Sequence, residues 1–189
     1  LWNAFIGRYA NWNPNQDASI TPFQHWYVGA ANNIPDIIAK AREIGANHYE
    51  AAALTIKSMG YIMMCDLFGE VQYTQSITDD FSPGFDTGDV VYEGCLADLE
   101  RAIELFSQPQ PSDVVALSEG DTWCNGDVGK WIKFCYGLKA RWLNTLSKTD
   151  RYNPDEILDA LEKALKSNVD NVKMTHYNAE TGANSVLSS

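Results

Sequence analysis

Basic residues are scarce in this sequence. Its 189 residues include 14 lysines and arginines against 25 aspartates and glutamates, so the formal net charge is −11 at pH 7. A surface this acidic repels phosphate backbones and anionic lipid headgroups. We therefore expect no nucleic acid partner and no direct binding to a lipid surface.

Long hydrophobic runs and export signals are also missing. No run of 18 apolar residues occurs, and the start, Leu-Trp-Asn, is neither a signal peptide nor an initiator methionine. We expect the sequence to be part of a longer protein that carries its targeting signal elsewhere. The hydrophobic content of 45% is enough for the core of one domain.

Motifs of common enzymes and metal sites are absent as well. There is no G-x-S-x-G, no glycine-rich phosphate loop and no H-E-x-x-H, and the three histidines are scattered. The four cysteines form no C-x-x-C pair. Cys65, Cys95 and Cys135 lie in apolar helical patterns, which favours free buried thiols over disulfides. These absences argue against the common enzyme classes.

The strongest positive signal is helical periodicity. Apolar residues recur every three or four positions and no run of strands appears, which predicts an all-α fold. One or two helices are predicted upstream, broken or started at Pro35. The predicted core stripes of the four following helices are Tyr49, Ala52, Ala53, Ile56, Met59, Gly60, Met63 and Leu67; Tyr92, Cys95, Leu99, Ala102, Ile103 and Phe106; Trp131, Phe134, Cys135, Leu138, Trp142 and Leu146; and Ile157, Leu158, Leu161 and Leu165.

Between the helices lie two segments with the composition of long loops. Residues 72–89 and 107–127 are rich in proline, glycine and aspartate. Long ordered loops on a helical scaffold are frequent sites of function. After Asn168 the sequence is rich in asparagine, serine and threonine without a period. We therefore predict a helical scaffold over residues 1–167 and an irregular tail over 168–189 that leads to a missing C-terminal part.

The stretch CDLFGEVQYTQSI, residues 65–77, allows two interpretations. Asp66 and Glu70 are four apart, so a continuing helix would place both carboxylates on one face, as an acid–base pair requires. Gly69 favours the alternative, because glycine supplies the left-handed conformation that ends a helix. We predict a helix end here and keep hydrolysis by loop carboxylates as a weaker hypothesis.

The loop EGDTWCNGD, residues 119–127, raises the question of calcium. An EF-hand beginning at Asp121 is excluded, since Ile132 stands where the bidentate glutamate must be. A looser oxygen site formed by Asp121, Asn125 and Asp127 stays open, although Asp127 is more simply explained as the N-cap of the next helix. The expectation is no cofactor, with calcium as the one candidate.

Tryptophan is abundant, with six residues. Trp12 lies among asparagines in YANWNPNQDAS. An apolar ring flanked by amides suits a sugar, which offers an apolar C–H face and a rim of hydroxyls. The alternative is that Trp12 closes the end of the helical bundle. Trp123 allows the same two interpretations.

Four stretches, in order, resemble motifs of the SusD/RagB family. HWYVGAANNI (residues 25–34) is similar to its W-Y-x-x-I-x-x-[AC]-N-x-[IL] helix, and residues 53–77 resemble a long apolar helix ending in D-x-[FY]-G-[DE]-[VI]-P-Y. Residues 82–106 look like P-x-[YF]-D followed by Y-x-x-[IL]-x-x-D-L-x-x-A, and residues 125–148 look like G-D-x-x-K-W-x-K-F-A-x-[SG]-L-x-x-R. Gln72 replaces the usual proline.

This resemblance implies a tetratricopeptide-like scaffold of helical hairpins with long irregular loops. It also implies a lipid-anchored protein on the outer-membrane surface of Bacteroidetes, with the anchor outside this sequence. Such proteins cap a SusC-like TonB-dependent transporter and pass it oligosaccharides, or in some branches peptides, without cleaving them. A helical-repeat interaction scaffold without a small-molecule ligand is the alternative hypothesis.

The resemblance also bears on the ligand residues. The loop before the first long helix of the family often contributes an aromatic and an amide side chain. This implies Trp12, Asn13 and Asn15 as ligand-binding residues, and Trp123 is added as an aromatic in a later loop.

Overall fold

The computed structural model describes residues 16–78 and 80–173. Over these ranges the protein is helical, with one isolated antiparallel bridge between Val71 and Asp86 and no sheet, which confirms the all-α prediction. The α-helices are α1 (Gln16–Phe23), α2 (Ile34–Ile44), α3 (Asn47–Phe68), α4 (Gly88–Phe106), α5 (Val128–Thr145) and α6 (Pro154–Lys163). A π-helical turn (Gln24–Ala30) and a 3-10 turn (Ala31–Asn33) join α1 to α2, and further 3-10 turns lie at Leu117–Glu119 and Asn168–Asp170.

Successive helices pack side by side, with α2 on α3, α3 on α4, α4 on α5 and α5 on α6. Between α3 and α4, Ser58 Oγ donates to the backbone oxygen of Cys95 at 3.1 Å, and the Lys57 ammonium lies 2.7 Å from Asp98. Thr55 Oγ1 lies 3.4 Å from Cys135 Sγ of α5. The fold is therefore a tetratricopeptide-like stack with α3 and α4 at its centre.

The predicted core stripes of α4 and α5 are confirmed. Every predicted core residue of α4 is buried. On α5, Trp131, Cys135 and Trp142 are buried, and the remaining predicted positions are half-buried. Both helices carry charged residues on the opposite side. The buried side of each helix could therefore be predicted from amphipathic spacing.

The predicted core stripe of α3 is confirmed in part. Ala53 and Gly60 are buried, and Tyr49, Ala52 and Met59 pack half-buried against the core. The other three members, Ile56, Met63 and Leu67, are 36%, 52% and 60% exposed. The helix also buries residues outside the stripe: Ala51, Leu54, Thr55, Ser58, Ile62 and Met64. Because α3 is apolar nearly all round, spacing alone did not indicate which side the neighbouring helices would cover.

The predicted core stripe of α6 is also only partly buried. Ile157 is buried as predicted, but Leu158 and Leu161 are 59% and 47% exposed. Ala160 and Ala164 take the buried places instead, at 1% and 5% exposure. Small side chains let α6 approach α5 closely and leave the leucines on its outer side.

By length and composition α3 is the one helix in the described part of the chain that could cross a membrane. More than half of that window is buried inside the fold. The buried Thr55 and Ser58 hydroxyls donate to backbone oxygens one turn back, at Ala51 and Leu54. These features are those of a central helix of a packed domain.

All four cysteines are free and buried, as the sequence predicts for three of them. Burial raises the pKa of the Cys95 and Cys135 thiols to about 12. It raises the pKa of Cys124 to about 11. The thiols therefore pack as small neutral hydrophobic groups at physiological pH.

Candidate ligand-binding loops

Two long loops lie at opposite ends of the α3–α4 hairpin. The first loop, residues 69–87, follows the C-terminal end of α3, and the second loop, residues 107–127, returns from α4 to α5. Backbone oxygens of the second loop accept hydrogen bonds at the start of α3, where Tyr49 Oη donates to Ala116 at 2.9 Å. Since α3 has 22 residues, the two loops are separated by about 33 Å. They form two separate surfaces.

Asp86 holds the first loop together. Its carboxylate accepts hydrogen bonds from the backbone N–H groups of Tyr73 and Thr74 at 3.0 and 2.8 Å and from the Thr74 hydroxyl. Burial raises the pKa of this carboxyl, but the hydrogen bonds outweigh burial and hold the pKa below its usual value. Gln72, at the family's usual proline position, donates to the backbone oxygen of Pro83 at 3.2 Å. The loop is thus ordered by its own polar groups.

At the surface of this first loop two phenylalanines are exposed. Phe81 is fully exposed and Phe85 is 60% exposed. The sequence did not predict that they are exposed. An aromatic residue beside proline and glycine can be packed beneath a loop as readily as it can be exposed on the surface of the loop.

The second loop is organised around Asp121. Oδ1 accepts hydrogen bonds from the backbone N–H groups of Trp123 and Cys124 at 2.9 and 3.0 Å. Oδ2 accepts hydrogen bonds from the Gly126 backbone N–H and the Trp131 indole, both at 2.8 Å. Burial raises the pKa of Asp121, but these four donors outweigh burial and hold the pKa below its usual value.

Trp123 lies half-buried at the surface of this second loop. Its ring stacks on Trp131 with centroids 5.8 Å apart and an interplanar angle of 16°. The edge of Phe134 meets it at 6.3 Å. One face of the indole is therefore fixed by packing while the residue as a whole is half-exposed, an arrangement compatible with an aromatic platform.

The other candidate metal ligands have structural contacts of their own or lie on the surface. The Asp127 side chain accepts from the Lys130 backbone N–H at 3.0 Å and caps α5, which confirms its predicted capping role. Asn125 is exposed and has a positive φ of 53°. Within residues 16–78 and 80–173, no group of three or more histidine, cysteine, aspartate and glutamate side chains could hold a metal ion.

Three of the predicted ligand residues, Trp12, Asn13 and Asn15, lie outside the described residues. The described residues begin with α1. Its Phe23 packs against Phe68 at the C-terminal end of α3, with ring centroids 4.8 Å apart. Helix α1 is thus at the end of α3 that carries the first loop, away from Trp123.

Asp66 and Glu70 do not form an acid–base pair. Helix α3 ends at Phe68, and Gly69 has φ 82° and ψ −86°, so Glu70 leaves the helical face. The Asp66 carboxylate instead accepts a hydrogen bond from the Tyr92 hydroxyl of α4 at 2.7 Å. Burial, followed by the bond to Asp66, raises the pKa of Tyr92 above its ordinary value. The helix-end interpretation is confirmed.

The 3-10 turn after α6 is tied to α5 by an ion pair. The Lys133 ammonium lies 2.5 Å from the Asp170 carboxylate, which also accepts from the backbone N–H groups of Lys166 and Ser167. Chiefly because of Lys133, the pKa of Asp170 is lowered to about 2.

This ion pair predicts an acid-sensitive contribution to stability. A carboxyl whose pKa is lower in the folded state stabilises the protein above its unfolded pKa of about 4 and loses that effect as pH falls towards 2. Urea unfolding at pH 7, 4 and 3 should therefore show Asp170→Asn less stable than the parent at pH 7, with the difference shrinking at pH 3. Asp150→Asn, on an exposed turn, is the charge-matched control. A difference that is independent of pH would contradict the prediction.

A family model described as "Starch-binding associating with outer membrane" matches residues 3–189. The chain belongs to the SusD-like family. This confirms the family that the four sequence motifs resemble. No curated protein matches it by sequence.

Solved structures share the SusD-like fold with this chain. A SusD/RagB family protein from Bacteroides thetaiotaomicron has a TM-score of 0.72 and 24% identity, covering 83% of this chain and 34% of its own. The Bacteroidetes AC2a SusD-like protein has a TM-score of 0.73 and 23% identity, covering 88% of this chain and 31% of its own. A chitin-binding SusD homologue from Flavobacterium johnsoniae has a TM-score of 0.63 and 22% identity, covering 79% and 30%.

This SusD-like chain thus spans about a third of the length of these structures. At such low identity the likeness concerns the fold. The helical tetratricopeptide-like scaffold is the part that they share.

Proposed function

We propose that this SusD-like chain belongs to a glycan-binding accessory subunit that captures oligosaccharide at the outer-membrane surface without cleaving it. The observation that carries the proposal is membership of a family described as starch-binding and associated with the outer membrane, over residues 3–189. The partly open Trp123 ring, held on Trp131, supports it with a surface of suitable chemistry.

Non-cleavage is supported by the carboxylates that were the best catalytic candidates. The Asp66 carboxylate accepts a hydrogen bond from the Tyr92 hydroxyl, and Glu70 lies beyond the end of α3. Glycoside hydrolysis needs two carboxyl groups that flank one bond. Because Asp66 is engaged by Tyr92 and Glu70 lies past the helix end, the two do not share a helical face as the acid–base hypothesis requires.

We further propose a SusC-like TonB-dependent transporter as the partner and a lipid anchor outside this sequence as the link to the membrane. Oligosaccharide is the preferred ligand class, with peptide as the alternative. The family description supports the outer-membrane location. The acidic net charge of −11 argues against direct adsorption to anionic lipid.

Affinity electrophoresis in gels that contain soluble starch, glycol chitin or other soluble polysaccharides tests the ligand class. We expect retardation by at least one glycan, and Trp123→Ala should weaken it about tenfold, the effect of about 1.4 kcal/mol of lost stacking. Trp12→Ala, in the same gels, tests the ligand-binding residues that the family resemblance implies, Trp12, Asn13 and Asn15. Val115→Ala, at an exposed position of the second loop, is the control. Circular dichroism checks that each variant is folded.

Three outcomes separate the hypotheses. No retardation in any gel and no signal on a glycan array would favour the interaction scaffold. Release of shorter products from a bound glycan would favour a hydrolase. Unchanged binding in Trp12→Ala would remove Trp12 from the site while leaving the function intact.

We also propose that the second loop needs no calcium. Both oxygens of Asp121 already accept two N–H donors each, so a cation would have to displace them. Thermal unfolding in calcium and in EDTA should give the same midpoint. A higher midpoint in calcium, abolished by Asn125→Ala, would contradict this.

A further inference from the structure

The two exposed phenylalanines of the first loop lie within five residues of each other. Phe81 is fully exposed and Phe85 is 60% exposed, and neither ring belongs to the core. Burying a phenylalanine contributes about 2 kcal/mol, so this short segment leaves a substantial stabilisation unused. Two exposed aromatic rings so close together indicate a contact surface.

Hydrogen bonds fix the backbone beside both rings. The Ser82 N–H donates to Asp80 Oδ1 at 2.9 Å, which holds the backbone around Phe81. The Gly84 N–H donates to Gln75 Oε1 at 2.9 Å, and Asp86 pairs with Val71 through two backbone hydrogen bonds, so the backbone is held on both sides of Phe85. A ligand that binds these rings therefore does not have to order the loop first.

The same loop keeps a strained backbone. Ile77 has a φ of 55°, a left-handed conformation that costs a β-branched residue about 1–2 kcal/mol. Its side chain packs half-buried against the core, and the Ser76 hydroxyl donates to the backbone oxygen of Tyr73 at 2.8 Å. The fold thus maintains one costly conformation in this loop, as is common in segments that bind ligands.

The groups beside the rings favour a sugar over a protein partner. The core of a protein interface is depleted of charged residues. Here Asp80 directly precedes Phe81 and Asp86 directly follows Phe85, and Ser82 adds an exposed hydroxyl. An aromatic ring among carboxylate and hydroxyl groups offers stacking for the C–H face of a sugar and hydrogen bonds for its rim.

We propose that Phe81 and Phe85 form a second oligosaccharide-binding site, selective for neutral sugars, which we call the Phe81–Phe85 site. It rests on the glycan-binding function proposed above. Neutral sugars are expected because the carboxylates of Asp80 and Asp86 repel uronic acid and sulfate groups. About 33 Å separates the two loops, so this site contacts a polysaccharide independently of Trp123.

Affinity electrophoresis with the same soluble polysaccharides tests the site. In a gel that retards the parent, the Phe81→Ala, Phe85→Ala variant should bind about fivefold more weakly, the effect of about 1 kcal/mol of lost stacking. Phe81→Trp should bind at least as strongly as the parent. Phe81→Leu, apolar but without a ring, should bind as weakly as Phe81→Ala. Leu158→Ala, at a position 59% exposed on α6, is the control.

Two further gels test the independence of the site and its preference for neutral sugars. Because the two loops are far apart, the losses from Trp123→Ala and from the Phe81→Ala, Phe85→Ala variant should add when the substitutions are combined. Sodium alginate, an anionic polysaccharide, should not retard the parent. Retardation by alginate that the Phe81→Ala, Phe85→Ala variant abolishes would contradict the selectivity for neutral sugars.

Hydroxyl-radical labelling read by mass spectrometry locates the bound glycan. Phe81 should be labelled rapidly in the parent alone and about threefold more slowly with a saturating soluble glycan, because a bound sugar covers the ring. Slow labelling without glycan would overturn the proposal, since another part of the protein or a second copy would then cover Phe81.

The gels also separate this site from the proposed function. Unchanged binding by the Phe81→Ala, Phe85→Ala variant, in a gel where Trp123→Ala weakens binding, would overturn the Phe81–Phe85 site and leave the glycan-binding function intact. No retardation of the parent by any glycan would overturn both.

Discussion

Gly60→Ala should lower the free energy of unfolding by about 2 kcal/mol, although alanine favours a helix over glycine. A Cβ at this position would lie 2.0 Å from two ring carbons of Trp26. Trp26 is only 5% exposed, and its ring meets Tyr61 edge-on at 5.1 Å, so the indole has little room to retreat. Urea unfolding followed by circular dichroism measures the effect.

Gly137→Ala is the matched control in another helix. Its added Cβ would meet nothing closer than the Ala164 Cβ at 3.9 Å, an ordinary van der Waals contact. The helix propensity of alanine should therefore stabilise this variant, by up to about 1 kcal/mol. If both substitutions shifted stability in the same direction, the close packing of Trp26 on Gly60 would be refuted.

Asp121→Ala should cost about 3 kcal/mol of stability, because it leaves four N–H donors without their acceptor. The heaviest loss is at the Trp131 indole, since Trp131 is 2% exposed and its nitrogen cannot turn to water easily. Without these hydrogen bonds the second loop should become more mobile, and Trp123 should lose its fixed position. Chemical unfolding gives the stability, and tryptophan fluorescence reports the loop.

Two further variants calibrate this result. Asp121→Asn keeps an acceptor oxygen and should show a smaller loss than alanine. Asp113→Ala, exposed in the same loop, removes the same charge and should change stability by less than about 0.5 kcal/mol. An equal effect of Asp113→Ala and Asp121→Ala would mean that charge, and not the hydrogen bonds, stabilises the loop.

These predictions use contacts that the sequence could not indicate. Asp121 in EGDTWCNGD was compatible with a cation site, because aspartate oxygens bind metals and N–H groups alike. The structure brings the Trp131 indole and three backbone N–H groups to it. Trp131 lies ten residues away in the next helix, so spacing alone gave no sign of this bond.

Helix ends were accessible from the sequence. Asp127 caps α5 as predicted, and the Asn153 side chain caps α6 by accepting from the backbone N–H groups of Asp155 and Glu156. The Glu156 side chain forms an ion pair with Lys139 of α5 at 3.0 Å. Caps depend on residues within one turn, whereas the partner of a long side chain depends on which helix packs beside it.

The sequence by itself determined the all-α class, the end of α3 at Gly69, the N-cap of α5, the core faces of α4 and α5, and the family, since all of these follow from local spacing and ordered motifs. Only the tertiary structure decided which side of α3 is buried, that Leu158 and Leu161 face outward, and that Phe81 is exposed. The physical reason is that an apolar side chain fits a core wherever one exists. When apolar residues surround a helix, the neighbouring helices, and not the residue pattern, choose the buried side.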